Sequence, residues 1–99
     1  MIVLPKPIKF IWDKGNQTKS FNKHKVTNQD AEEIFFDSNK ILVKDKIHST
    51  KNENRYIIIG QTSHGRTLYS AFTIRKDSVR IISSGDLDKK EHQLYEKTT

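Results

Sequence analysis

Arg80 is the residue whose type and place point most directly to chemistry. It interrupts the apolar run Val79-Arg80-Ile81-Ile82, where an unpaired buried charge would be costly, so it should face solvent or have a partner. A guanidinium in such a place can stabilise the negative charge that builds on a phosphate in a transition state. Metal-free RNA cleavage needs that, a base for the 2′-hydroxyl and an acid for the leaving oxygen. The chain has Arg, Lys, His and Tyr side chains to supply all three. The same residues also have purely structural readings: Arg80 can pair with Glu91, and Tyr95 can be a core aromatic.

Other chemistries lack their residues. The chain has no cysteine, so it can build no disulfide framework, thiolate zinc site or cysteine nucleophile. Its four histidines form no HxxxH or HExxH pair. No Asp/Glu cluster suits two-metal nuclease chemistry, and no GxxxxGK[ST], GxSxG or GxGxxG motif occurs. No cofactor or metal is therefore expected.

These side chains must be positioned by a small sheet. The stretch from Arg55 to Ser83 reads as three strands, around Tyr56–Ile59, Leu68–Ile74 and Val79–Ile82, dense in β-branched and aromatic residues. His64-Gly65 and Lys76-Asp77-Ser78 supply turn chemistry between them. The run Ile57-Ile58-Ile59 leaves little polar face, so this meander should be covered on both sides. Ile8–Trp12 and Lys40–Lys44 read as further strands. Asp13 is placed to cap a polar helix reaching about His24, with Asn16, Lys19, Ser20 and Lys23 on one face. Thr27 and Asp30 suit a capping box for a second helix with an apolar stripe of Ala31, Ile34 and Phe35, Glu32 and Glu33 facing water. Asp88 and Glu91 suit another capping box for a C-terminal helix docked by Leu87 and Leu94. The expected fold is α+β: one domain over residues 1–99, with a small antiparallel sheet (a three-strand meander plus one or two further strands), two N-terminal helices and a C-terminal helix.

Composition bounds the rest. Only 33% of the 99 residues are hydrophobic, which predicts a thin core concentrated in the meander. The net charge of +6 is unevenly spread. Residues 1–26 carry six Lys and one Asp, and residues 55–83 carry four Arg, one Lys and one Asp. Between them, residues 27–54 carry four Lys against six acids. Two basic blocks flanking an acidic one suit a polyanion or an acidic partner, although a solvated basic surface explains the charge equally well. No apolar run approaches a membrane span, and Met1–Leu4 before Pro5-Lys6-Pro7 is too short for a signal peptide. A cytoplasmic location without membrane contact is expected.

Several blocks occur together in register. FIWDKGNQTKSFNKHKVT at residues 10–27 is similar to W-D-x-x-N-x-x-K-N-x-x-K-H-G-V. The helix Asp30–Phe36, the His48-Ser49 loop leading into Glu53–Ile57, and Phe72–Arg75 follow it. Arg80–Ser83 comes next, then Lys89-Lys90-Glu91 and Tyr95. Over roughly residues 8–97 the chain resembles the BrnT family of toxins from bacterial type II toxin–antitoxin modules. The resemblance implies a RelE-like fold, ribonuclease activity that arrests translation, and neutralisation by a BrnA-like ribbon-helix-helix antitoxin. Operator DNA would be met only indirectly, through that antitoxin.

The resemblance also directs attention to particular residues. Arg75 and Arg80 become candidates for phosphate contact, His24 or His48 for proton transfer, and Glu91 and Tyr95 for orienting or assisting. Lys19, Lys23 and Arg55 become candidate RNA-backbone contacts. The chain departs from the pattern at three places. Lys25 replaces the usual glycine, Ser20 replaces an asparagine, and Ile82-Ser83-Ser84-Gly85 stands where the family usually has I-S-A-R. Gly85 thus vacates an arginine position, which marks a weakened or inactive toxin. The alternative is a binding protein that holds the antitoxin and shapes its DNA-binding complex.

Overall fold

The computed structural model describes residues 3–17 and 19–98, with the backbone alone for Lys19, Ser20 and Thr98. In chain order the elements are β1 (Phe10–Ile11), α1 (Lys19–His24), and α2 (Asn28–Glu33), which runs into a 3₁₀ turn (Ile34–Phe36). Then come β2 (Ile41–Lys44), β3 (Arg55–Gln61), β4 (Thr67–Arg75), β5 (Ser78–Asp86) and α3 (Lys89–Thr98). The strands form one five-stranded sheet in the order β1-β5-β4-β3-β2.

The fold is α+β, with a larger sheet than the meander alone. Strands β2 to β5 are antiparallel, β3 to β5 joined by short turns, but β1 pairs with β5 in parallel. The sheet is therefore mixed, not purely antiparallel. A parallel neighbour needs a long crossover, and α1, α2 and strands β2 to β4 provide it.

The turn chemistry is local and legible. Lys76 (φ 47°) and Asp77 (φ 66°) form a two-residue hairpin turn with both centres left-handed, the pattern of a type I′ turn. Gly65 supplies φ 87° in the longer β3–β4 connection. Thr27 and Asp30 close the expected capping box at α2. Asp88 and Glu91 close the other at α3, each backbone N–H donating to the other's carboxylate at 2.9 and 2.8 Å.

Alternation along β4 defines two faces. On one face Leu68 and Phe72 pack with Ile58, Val79 and Ile81 against Val26, Ala31, Ile34 and Phe35, the main core. Phe35 stands edge-on between Phe10 and Phe72, at centroid distances of 5.2 and 5.0 Å. Gly60 lets the 3₁₀ turn approach this closely, since a Cβ there would stand 2.7 Å from the Ile34 carbonyl oxygen. On the other face Ile59 packs with Leu87 and Tyr95, so α3 covers only one end. Ile57 is half-buried, and the cover expected over both faces is complete on one.

Two N-terminal expectations change. Residues 13–17 form a turn and the described helix begins at Lys19, so Asn16 is not on a helix face. It is buried, and its amide donates to the carbonyls of Ile11 and Ile81, both at 2.8 Å. Likewise Glu32 and Glu33 do more than face water. Glu32 accepts from the Trp12 indole, and Glu33 from the backbone and hydroxyl of Ser63. At α3, Leu94 is exposed and Tyr95 docks in its place.

Candidate active site

The open part of the second face gathers the residues of interest. Register pairs Tyr69 with Gly85, Ala71 with Ser83, and Thr73 with Arg80, while Arg55 pairs with Thr73 from β3. Arg55, Arg80, Ser83, Gly85 and Tyr69 therefore share one sheet face. A bulge in β5 helps set this up: Ile82 is the extra residue between the Ala71 and Phe72 pairings, and it restores the register that turns Ser83 and Gly85 the same way as Arg80.

Gly85 lies where two other elements meet. A Cβ on it would stand 3.0 Å from Cε1 and 3.3 Å from Oη of Tyr69, and 3.3 Å from Cδ2 of His24. His24 is the last residue of α1, and its place is fixed through the backbone. Arg66 donates to the carbonyls of His24 and Lys25 at 3.0 and 2.9 Å, and is itself held by Asp86 at 3.1 Å. These bonds satisfy carbonyls that a helix end leaves unpaired. Lys25 follows in the left-handed region, φ 58°, the conformation that favours glycine after a helix and the place where the family pattern has one.

Arg80 stands about 13 Å along the sheet from this point, four residues of β4 away. Its partner is Asp13, at 3.2 Å, and not Glu91. The turn carrying Asp13 is locked by Asn16, whose side-chain oxygen accepts from the Asp13 backbone at 2.7 Å. Gly15 admits the arginine, since a Cβ there would be 2.9 Å from its Nη2. The small side chains of Ala71 and Ser83 leave a low floor between the two ends.

Other candidates fall elsewhere. Arg75 lies at the far end of β4, six residues or about 20 Å from Tyr69, and pairs with Glu53 at 3.0 Å. His48 sits in the β2–β3 connection, exposed and paired with Asp45 at 2.8 Å. Of the two histidines, the structure brings His24 to the site and leaves His48 outside. Tyr95 is buried and donates to Asp37. Burial and that bond push the phenol up to about 12. Burial alone would raise the Asp37 carboxyl, but Tyr95, the backbone of Asn39 and Gln61, and Lys40 together hold it below its usual range. Glu91 serves the α3 cap, and its charge also reaches Tyr69: burial first, then Glu91, raises that phenol. Lys23 is exposed on α1 beside His24. The Lys19 side chain lies outside the described residues.

Tyr69 and Arg66 are the residues that sequence reading passed over. Tyr69 read only as a strand aromatic and Arg66 only as part of a turn; the register opposite Gly85 was the available signal. Among the described residues no three His, Cys, Asp or Glu side chains are grouped to hold a metal ion. None of the described helices is long and apolar enough to cross a membrane. An apolar recess lined by Leu4, Ile8, Phe35 and Leu42 belongs to the opposite face, away from His24.

Comparison with curated proteins gave no match. The family model described as "Ribonuclease toxin, BrnT, of type II toxin-antitoxin system" matches residues 12–91. That span runs from Trp12, through Asp13, Asn16 and His24, to Arg80, Gly85 and Glu91, and so takes in the whole face just described. The chain belongs to the BrnT family of ribonuclease toxins of type II toxin–antitoxin systems.

Proposed function

We propose that this chain is a metal-independent endoribonuclease on a RelE-like fold, a toxin that arrests translation and is held in check by a BrnA-like ribbon-helix-helix antitoxin. The observation that carries this reading is the meeting of His24 with position 85 on the face that also holds Arg80 and Arg55. His24 takes the proton of the attacking 2′-hydroxyl, and Arg80 stabilises charge on the phosphate. Lys19, Lys23 and Arg55 hold the RNA backbone. Arg75 and His48, at the other end of the sheet, serve as outlying RNA contacts and not as reacting groups. Glu91 assists through its charge on Tyr69, and Tyr95 assists by seating α3. Gly85 weakens the site by removing a phosphate-stabilising charge.

The test is cleavage of single-stranded RNA by this chain beside its Gly85→Arg form, with and without EDTA. Loss of one stabilising donor typically costs ~10²–10³ in rate, so the arginine form should cut faster by about that factor. Equal rates would remove position 85 from the mechanism, and abolition by EDTA would contradict metal-free cleavage.

One observation favours a second reading, the antitoxin-binding protein without catalysis. The Tyr69 ring rests against Gly85, where an arginine stem would lie. If neither form cuts RNA while both bind antitoxin, that reading replaces the first.

A further inference from the structure

Most polar candidates on this protein are already engaged. Arg75, Arg80, His48 and Tyr95 each have a carboxylate partner, and Glu91 closes a helix cap. The His24 imidazole and the Tyr69 hydroxyl differ, since no described residue hydrogen-bonds to either. They are also neighbours. Tyr69 Oη and His24 Cδ2 each lie 3.3 Å from the same point, the Cβ position of residue 85, so they stand no further apart than twice that. Tyr69 is half-buried, so its hydroxyl is held by a ring packed beside Ile59, Leu87 and Tyr95. Gly85 admits the ring directly across the strand pair, an aromatic over a glycine.

We propose that Tyr69 is a catalytic residue of this site, its phenol O–H protonating the leaving 5′-oxygen while His24 takes the proton of the 2′-hydroxyl. The proposal rests on the ribonuclease reading above. In the step, the O2′–H bond breaks and its proton passes to His24. The O2′–P bond forms and the P–O5′ bond breaks. O5′ then receives the Tyr69 proton, leaving a 2′,3′-cyclic phosphate and a 5′-hydroxyl. Solvent returns a proton to the phenolate and removes one from the imidazolium, so atoms and charge balance without an oxidant or a metal. The division of roles follows from environment. Burial and the Glu91 charge hold the phenol above its ordinary range, so at neutral pH Tyr69 has a proton to give and cannot act as the base.

The test uses Tyr69→Phe, which keeps the ring and its packing, in the chain as it stands and in its Gly85→Arg form. Two RNAs are compared: an ordinary one, and one with sulfur in place of the 5′-bridging oxygen, whose leaving thiolate needs no proton. Tyr69→Phe should slow ordinary RNA ~10²-fold and cleave the sulfur-substituted RNA at the parent rate. Parent-rate cleavage of ordinary RNA by Tyr69→Phe overturns the assignment while leaving the ribonuclease reading intact. An equal loss on both RNAs also overturns it, because a merely structural role would produce that. If neither Tyr69 parent form cleaves either RNA, the ribonuclease reading fails and the assignment falls with it.

Discussion

Removing one hydroxyl, in Tyr95→Phe, separates an anchoring tyrosine from a reacting one. The ring keeps its contacts with Ile59 and Leu87, so no cavity opens. What is lost is the bond from the phenol to the Asp37 carboxylate. Hydrogen bonds to charged groups are worth about 1.5–3 kcal/mol. Asp37 is only partly buried and keeps the backbone donors Asn39 and Gln61, so the lower end applies, discounted for solvent to about 1 kcal/mol. In a domain of this size that is a fall in Tm of about 4–8 °C.

The pH dependence has a definite sign. Asp37 is held below its unfolded value, so its contribution is present above about pH 4 and is lost as pH falls through the folded value. Tyr95 is raised to about 12, so its contribution is present below the unfolded value and lost as pH rises through the folded one. The Phe variant should therefore be less stable at neutral pH and converge with the parent in acid. Urea unfolding at pH 7 and pH 3 measures both. Unchanged stability together with lost RNA cleavage would refute the reasoning and return Tyr95 to the active site.

Asn16→Ala should destabilise by about 3 kcal/mol, since it leaves two carbonyls and the Asp13 N–H without their buried partner. Chemical denaturation checks this; a loss below about 1 kcal/mol would mean that water replaces the amide. Lys25→Gly should stabilise slightly. Relief of the left-handed conformation is worth about 1 kcal/mol. Loss of the ammonium 5.2 Å from the Phe21 ring centre gives back about 0.5. A small rise in Tm is expected, and a fall would show that the cation–π contact outweighs backbone strain.

The meander, both capping boxes and the Gly65 turn were legible because each is a local contract between neighbouring residues. What was not legible depends on distant pairing. The N-terminal motif looked like a polar helical face because Asn16, Lys19, Ser20 and Lys23 recur at helical spacing. Yet Asn16 is spent on carbonyls in β1 and β5, the latter 65 residues away. Asp13 reads as a helix cap, but it opens a turn six residues before α1, and its carboxylate accepts from the Gly15 N–H and meets Arg80. Choosing between His24 and His48 needed the register that sets β5 beside α1. The β5 bulge at Ile82, which decides which way Ser83 and Gly85 point, leaves no mark in residue type.

The same geometry separates what the fold demands at position 85 from what the site demands there. Gly65 has a backbone that side chains disfavour, and a Cβ on Gly60 would stand 2.7 Å from the Ile34 main-chain oxygen. Substitution at either would strain the sheet or its helical cover. Gly85 has neither constraint: its φ is not positive, and what a Cβ would meet there is the Tyr69 ring and the edge of His24. A Cβ at 85 therefore requires the tyrosine ring to shift by a few tenths of an ångström, and it meets no backbone atom. The backbone conformation does not require the glycine; the Tyr69 ring packed against it does favour a small residue there. Any side chain at 85 and the Tyr69 ring compete for one place beside His24.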